Sequence, residues 1–526
     1  MKYINKLTIS SVFVTLLILI PAIILFTNIF IGSENWKHLV ETVLFEYIFN
    51  SLYIMVGVAV LTTILGFTTA YLTSLFTFTG SSFFHYALIL PFAIPTYIVA
   101  YIYGGMFDIT GTITTFILKL LGKNLSEIYL PDIMSIEGAI IVMSLVLYPY
   151  VYLICKTYLR SESSSIIDAS KTMGLSNFQI FYKVVIPISR PAIVAGVILA
   201  VMEAVADFGV MDYYGVPTFV TGIFRTWFGM GSVEDASKLA SMLMLFVFIL
   251  IFLERYQRRN KRYKSSGKDF KPIAKQRLTG ISNIFAFIAC FIPFFFGFLL
   301  PFSQMSIWFY KSYQEVIDED FLTVLYQTLS LGFFSAIFIT IVAFILVYNV
   351  RLHKSILSDN LMQVSKLGYS IPGAVVAVGI LSFFSIVDRS FDILFSGTVI
   401  AVIFGYTVRF IAISINNYES GFAKISHSYD DACKTMGIGY FQTFYKVTLP
   451  LIKNSVMASL IIIFIEVIKE LPLTMVLRPF NYDTLAVLSH ELVTQAQVVE
   501  SSVPAMFIVG LGIISVLILL KNMIKE

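Results

Sequence analysis

Two stretches decide how this chain is built. Residues 168–187 read DASKTMGLSNFQIFYKVVIP, and residues 431–450 read DACKTMGIGYFQTFYKVTLP. They lie 263 residues apart, and 13 of their 20 positions are identical without a gap. Chance does not supply that match, so the chain carries one unit twice. The same offset places Glu203 on Glu466 and Asp207 on Glu470. Upstream, LPFAIPTYIVAYIY (90–103) lies over LGYSIPGAVVAVGI (367–380) at an offset of 277, with Pro95 on Pro372. The change of 14 puts an insertion in the first copy, within the loop 108–137.

Composition says what solvent the two copies face. Of 526 residues, 58% are hydrophobic and only 13% charged, and the mean hydropathy is +0.85. That is too little charge to cover a soluble surface. It excludes a soluble enzyme, a disordered protein and a nucleic-acid binder. A membrane span needs about 20 mostly apolar residues. Twelve are predicted: 9–31, 49–76, 84–107, 138–158, 191–211, 239–254, 282–306, 322–350, 365–387, 393–415, 453–472 and 503–521. The first is read as a retained helix, because its apolar run is too long for a signal peptide and another span follows closely.

The expected fold is an all-α polytopic membrane protein of about twelve transmembrane helices, arranged as two parallel six-helix repeats. The N-terminal repeat is 1–254, the basic linker 255–280 and the C-terminal repeat 281–526. Six spans return the chain to the same side, so the repeats are related by a pseudo-two-fold axis along the membrane normal. With the N-terminus inside, Lys and Arg concentrate on the cytoplasmic segments, as the positive-inside rule demands. Ten of them fall between Arg255 and Arg277. Both termini are then cytoplasmic.

The repeated stretch sits on that cytoplasmic side, between the fourth and fifth spans of each half. It reads as helix–turn–helix. Asp168 and Asp431 lie in or near the first turn of a short helix, where a carboxylate favours exposed N–H groups. Small residues follow (Ala169, Ser170; Ala432, Cys433). Gly174 and Gly437 occur where a helix would stop at a left-handed residue. Phe178, Phe181 and Tyr182 are matched by Phe441, Phe444 and Tyr445. Pro187 and Pro450 mark an expected break before the next span. Such an element, kept in both copies, is read as a docking surface rather than a loop that only packs under its own bundle.

Five ionisable residues fall near two equivalent spans: Glu203 and Asp207, then Glu466, Lys469 and Glu470. A charge at the bilayer centre costs roughly 2.5–3.5 kcal/mol, so these should face protein or water rather than lipid. Each acidic pair is spaced i, i+4 and is expected to share a helix face. They can line a pathway for a cation or form an ion-pair cluster in which Lys469 neutralises a neighbour. Arg409 is expected to snorkel to an interface. His38, His85, His353, His427 and His490 form no metal-ligand pair, and only His490 with Glu491 is placed to meet a metal, so no firm metal site is read. Cys155, Cys290 and Cys433 are too scattered for a disulfide framework. No GxxxxGK[ST] loop occurs, so the chain has no P-loop for ATP.

The repeated loop resembles the EAA loop of ABC importer permeases, the membrane components of binding-protein-dependent transport, with Asp in place of the leading Glu. The resemblance implies the type I importer permease fold. It also implies that 164–182 and 427–445 are coupling regions that dock on a separate ATPase. Their ATPase-coupling residues would be Asp168, Ala169, Gly174, Pro187, Asp431, Ala432, Gly437 and Pro450. MEAVADFGVMDYYGVPTFVTGIFRTWF (202–228) and KELPLTMVLRPFNYDTLAV (469–487) are similar to the fused permeases of ferric-iron importers. This implies a bacterial inner-membrane, non-enzymatic transport subunit working by alternating access. Its implied partners are two copies of a cytoplasmic ABC ATPase, a periplasmic substrate-binding protein and the lipid bilayer, with no nucleic acid. ATP and Mg would be bound by the ATPase and no cofactor by this chain. Glu203, Asp207, Glu466, Lys469 and Glu470 are its translocation-pathway candidates. Thiamine or a polyamine is the alternative cargo, and a proton-coupled secondary transporter the alternative class.

Overall fold

A computed structural model of the chain describes residues 6–124, 127, 132–161, 170, 172–259, 275–353, 355–426 and 428–524. The twelve predicted spans all fall on largely helical residues, though four of them cross a helix break. Among the described residues, ten helices are long and apolar enough to cross a membrane by themselves, and a bent pair, Ser81–Ala93 with Thr96–Leu121, makes an eleventh if it counts as one span. The last predicted span falls on the helix Ser502–Ile524. The one strand pairing among the described residues is a two-residue parallel contact, Phe76–Thr77 with Gln276–Arg277.

The helices pack as two compact units that cut across the sequence halves 1–254 and 281–526. One unit holds Met1–Ser33, Ile223–Ser241 and Ile317–Leu488; the other holds Glu34–Gly222, Met242–Val316 and Ser489–Glu526. The opening helix Lys6–Asn28 shows why. Ser11, Thr15, Ile18, Pro21 and Leu25 form a buried stripe, while Ile9, Phe13, Leu16 and Ile23 are exposed to the surroundings. The buried stripe meets helices of the second sequence half. The Thr15 hydroxyl lies 3.1 Å from that of Ser365, and Thr8 donates to the Asn349 side chain at 3.1 Å. Without a hydrophobic drive between helices in lipid, such polar contacts and close backbone approach select partners. A Cβ on Gly379 would come within 2.8 Å of the Pro21 carbonyl.

Within the other unit, Leu44–Leu75, Ile136–Ser161 and Ile186–Ala206 meet at glycines. A Cβ on Gly66 would lie 2.7 Å from the Tyr148 carbonyl, and one on Gly196 would lie 2.6 Å from the Val151 Cα. The aligned residues of the first unit are Ala343 and Ser459, both fully buried, so its corresponding crossings are also made by small residues. This unit also takes in segments from the second half. Gly512 of the last helix fits against the Ala93 carbonyl, and Gly297 against that of Leu145.

Two expectations are corrected here. The predicted spans 84–107 and 365–387 are not straight. Each breaks at an Ile-Pro pair, with Ile94 and Ile371 extended (ψ 121° and 127°) and Pro95 and Pro372 capping the helices Thr96–Phe107 and Gly373–Phe391. A proline pushes the preceding residue out of the helical region; in the first copy the bend is 89°. The break expected at Pro187 and Pro450 does not occur. The helix runs through both prolines, because a wide π turn (Phe181–Val185, Phe444–Thr448) immediately precedes each of them. The turn changes the hydrogen-bond register, with Ile186 N–H reaching back to the Phe181 carbonyl and Leu449 N–H to that of Phe444. The proline ring then follows without the clash it would make in a regular helix interior.

Replacing Gly379 with Val should destabilise the protein by about 1–3 kcal/mol through overpacking on Pro21. Gly510 has open space around it, so Gly510→Val should change thermal unfolding in detergent by much less. Equal shifts in the two variants would contradict the packing described.

Candidate coupling loops and carboxylate breaks

The second loop copy is a short helix, Ser428–Thr435, with Asp430 and Asp431 in its first turn. Ala432 follows on its exposed side. Gly437 then takes φ +72°, and Ile438 N–H returns to the Cys433 carbonyl at 3.0 Å. The first copy repeats this stop: Gly174 has φ +79°, and Leu175 N–H reaches the Ser170 carbonyl at 3.2 Å. A left-handed residue followed by this long return bond closes the last carbonyls of a helix, and glycine enters that region without a Cβ penalty. Asp168 and Ala169 lie outside the described residues.

The aromatic residues divide by task. Phe181 packs on Tyr71 and Phe67 with ring centroids at 4.7 and 5.8 Å. Phe444 packs on Phe344 and Tyr348 at 4.7 and 6.2 Å. Phe67 aligns with Phe344 and Tyr71 with Tyr348 at the offset of 277, so both copies are anchored to their bundle by the same cluster. Phe178, Tyr182 and Tyr445 are instead exposed. Two residues were missed in the sequence: Met173 and Met436, one before each turn glycine, are 80% and 75% exposed. Their signal was present in the shared KTMG string. A large apolar side chain held outward at matched sites marks an interaction surface.

The second copy has an extra fixing point. Arg351 pairs with Asp430 at 2.8 Å and also donates to the carbonyls of Phe422, Ile425 and Ser426. The aligned residues in the first half are Ser74 and Ile167, so this pair has no counterpart there. The first copy starts its second helix with reciprocal bonds between Ser176 and Gln179 instead.

The acidic pairs do not share a helix face. The helix Ile186–Ala206 ends before Asp207, and Leu449–Lys469 ends before Glu470. Asp207 is extended (ψ 109°) and its carboxylate accepts from Val210 N–H at 3.0 Å, starting the short helix Phe208–Tyr213. Glu470 is extended (ψ 115°) and accepts from Leu473 N–H at 3.1 Å, at the start of Pro472–Leu477. Asp207 is the N-cap of its short helix, a role acidic side chains suit, and the longer Glu470 side chain reaches the same kind of first-turn N–H from one residue before the N-cap Leu471, an arrangement that an i, i+4 reading of one continuous helix conceals. Glu203 and Glu466 sit one turn earlier and are half-buried, as is Lys469 at the helix end.

The two caps rest on different neighbours. Thr96, at the start of the bent third span, donates its hydroxyl to Asp207. The aligned position is Gly373, where a Cβ would strike Arg409 and Glu470. The space goes to the Arg409 guanidinium, 3.2 Å from the Glu470 carboxylate, with both side chains largely buried. Arg409 therefore does not snorkel to an interface; it is the counter-ion of Glu470. His490 is also corrected: it is 1% exposed, 2.5 Å from the Tyr101 hydroxyl and 3.4 Å from Asp212. No group of three or more His, Cys, Asp or Glu among the described residues can hold a metal.

The model of the binding-protein-dependent transport system inner membrane component family matches residues 62–263 and again 341–525. The chain belongs to this family. The "Fe(3+)-transport system permease protein FbpB 2" of Haemophilus influenzae is 23% identical over 484 residues, 91% of this chain and 90% of that one. The "Ferric transport system permease protein FbpB" of Actinobacillus pleuropneumoniae is 22% identical, over 85% of this chain and 68% of its own. The spermidine/putrescine permease PotB of Haemophilus influenzae is 24% identical over 47% of this chain. The protein is thus a multi-pass inner-membrane permease, a transport subunit rather than an enzyme, and the family match recurs in each half as the duplicated loop does.

Glu470→Gln should leave Arg409 buried without its counter-charge, lowering stability by about 3–5 kcal/mol. The double variant Glu470→Gln/Arg409→Met should recover most of that loss. Thermal unfolding of the purified permease checks both; a double variant no more stable than the single one would remove the ion pair from the account.

Proposed function

We propose that this permease imports ferric iron, delivered by a periplasmic binding protein, by alternating access driven by two copies of a separate cytoplasmic ATPase. The observation that carries the coupling part is the pair of Met-Gly turns, exposed at their tips and anchored at their bases by matched aromatic clusters. An apolar tip suits a groove on a partner, and a rigid base passes motion into the bundle. The chain has no P-loop, so ATP and Mg belong to the partner. ATP binding closes the ATPase pair, the regions 164–182 and 427–445 follow, and the pathway opens toward the binding protein. This requires the loops, and with them both termini, on the cytoplasmic side, which the Lys/Arg bias supports.

Ferric iron is favoured as cargo because relatives named for it run along 85–91% of the chain. The chemistry agrees: a hard cation prefers oxygen ligands. Glu203 and Glu466, half-buried one turn before the breaks, are the better pathway candidates, whereas the carboxylates of Asp207 and Glu470 accept backbone N–H groups at the breaks. A polyamine is the second reading, supported by the relative that covers about half the chain.

Met173→Glu together with Met436→Glu should abolish uptake and capture of the ATPase. Burial of one Met is worth about 1.5–3 kcal/mol, so capture should weaken by roughly 10²–10⁴-fold, while membrane insertion and thermal stability stay near wild type. Normal capture by the double variant would defeat the coupling assignment. For cargo, a deletion strain carrying the gene should accumulate labelled Fe³⁺ and neither thiamine nor spermidine; accumulation of either organic cation without iron would overturn the iron reading.

A further inference from the structure

The return end of the basic linker enters a cluster of cations that transport does not use. Lys275, just before the Gln276–Arg277 pairing, donates to the Thr73 carbonyl at 2.8 Å. Lys156, on the fourth span and only 2% exposed, donates to the His85 carbonyl at 3.0 Å and to the Tyr152 hydroxyl at 2.7 Å. One turn further along, Arg160 meets the His85 ring Nε2 at 3.2 Å. Desolvation, then the nearby Arg160 guanidinium, lowers the pKa of the Lys275 ammonium.

Three cations therefore gather around one imidazole, and among the described residues none of them makes an ion pair. Their acceptors are all neutral: two carbonyls, a hydroxyl and a ring nitrogen. The hydrogen bonds are made, but the charge is not compensated. Like charges in a low-dielectric setting repel, and a buried ammonium is disfavoured further. An anion supplied from outside removes both penalties. Donors remain for it: Lys156 keeps one N–H, Lys275 two and Arg160 four after the bonds above.

We propose that this cluster binds the phosphate of an anionic phospholipid headgroup. The site sits at the ends of spans, where headgroups lie. The exposed Tyr86 ring meets that of His85 at 5.3 Å, and Phe83, also exposed, lies on the same short helix, so the helix offers an apolar path for an acyl chain. On the topology proposed above it faces the cytoplasmic leaflet, where basic pockets between helices take such lipids. A bound headgroup would tie the linker's return end to the fourth span by bridging Lys275 to Lys156 and Arg160. A free phosphate would use the same donors, so the test separates the two sources.

The full-length permease is placed in nanodiscs of phosphatidylcholine alone or with added phosphatidylglycerol. Retained lipid is read by native mass spectrometry and stability by thermal unfolding. The wild type should retain phosphatidylglycerol and be stabilised by it. Arg160→Gln/Lys275→Gln, both at exposed positions, should weaken phosphatidylglycerol binding by about thirtyfold, as expected for two lost interfacial cations, and should unfold like wild type in phosphatidylcholine. Lys156→Met tests the buried cation by the same readouts. Inorganic phosphate added to phosphatidylcholine nanodiscs should not reproduce the stabilisation. Stabilisation by phosphate and not by phosphatidylglycerol would overturn the lipid assignment, and equal lipid retention by wild type and double variant would overturn the site.

Discussion

A backbone N–H or C=O left unpaired in hydrocarbon costs several kcal/mol, so a helix that stops within the membrane needs its freed groups answered by protein. The same need arises where a helix stops among buried residues, as two do here, after Ala206 and after Lys469. In each case the next residue is a carboxylate whose oxygen takes an N–H of the helix that follows. The surrounding structure serves these two caps. The third span of each half breaks at Pro95 or Pro372 and brings the start of a helix against the cap, through the Thr96 hydroxyl in one copy and through the empty volume of Gly373 in the other. That volume admits Arg409, and the buried charge of Glu470 is thereby balanced.

The same economy runs through the duplicated loops. The identities of 168–187 and 431–450 combine two demands. Phe181 and Phe444 answer to their own bundle, where Phe67, Tyr71, Phe344 and Tyr348 wait at matched positions. Met173 and Met436 are held outward and exposed. Their glycines take left-handed backbone with open space around them, so their retention reflects the turn rather than crowding. The copies are not equivalent mechanically. Arg351 and Asp430 clamp the second loop, a pair whose aligned positions in the first half are Ser74 and Ile167, and the first loop's following helix opens with a Ser176–Gln179 cap.

Exchange of segments between the sequence halves follows from the membrane as solvent. A span in lipid is not driven to its neighbour in sequence, because lipid tails bury its apolar face equally well. Small residues and a few hydroxyls decide instead. The stripe through Ser11, Thr15 and Pro21 finds Ser365 and Gly379, and Gly512 finds Ala93, regardless of which repeat they came from.

The amino-acid order alone determined the membrane class, the polytopic helical fold, the duplication and the turn at each loop glycine. Those are set by composition, by runs of apolar residues and by local backbone preference, none of which needs a partner. It also showed that Glu203, Asp207, Glu466 and Glu470 were costly in a membrane, since that cost belongs to the charge itself. What each carboxylate does was decided only by the tertiary structure. Spacing suggested one helix face, but a helix end between the paired residues cannot be seen in spacing. The tie of Arg409 to Glu470, the burial of His490 and the passage of a helix through Pro187 and Pro450 depend on contacts or on a change of hydrogen-bond register. Those come into being when distant segments, or successive turns, settle against one another, and a linear pattern does not contain them.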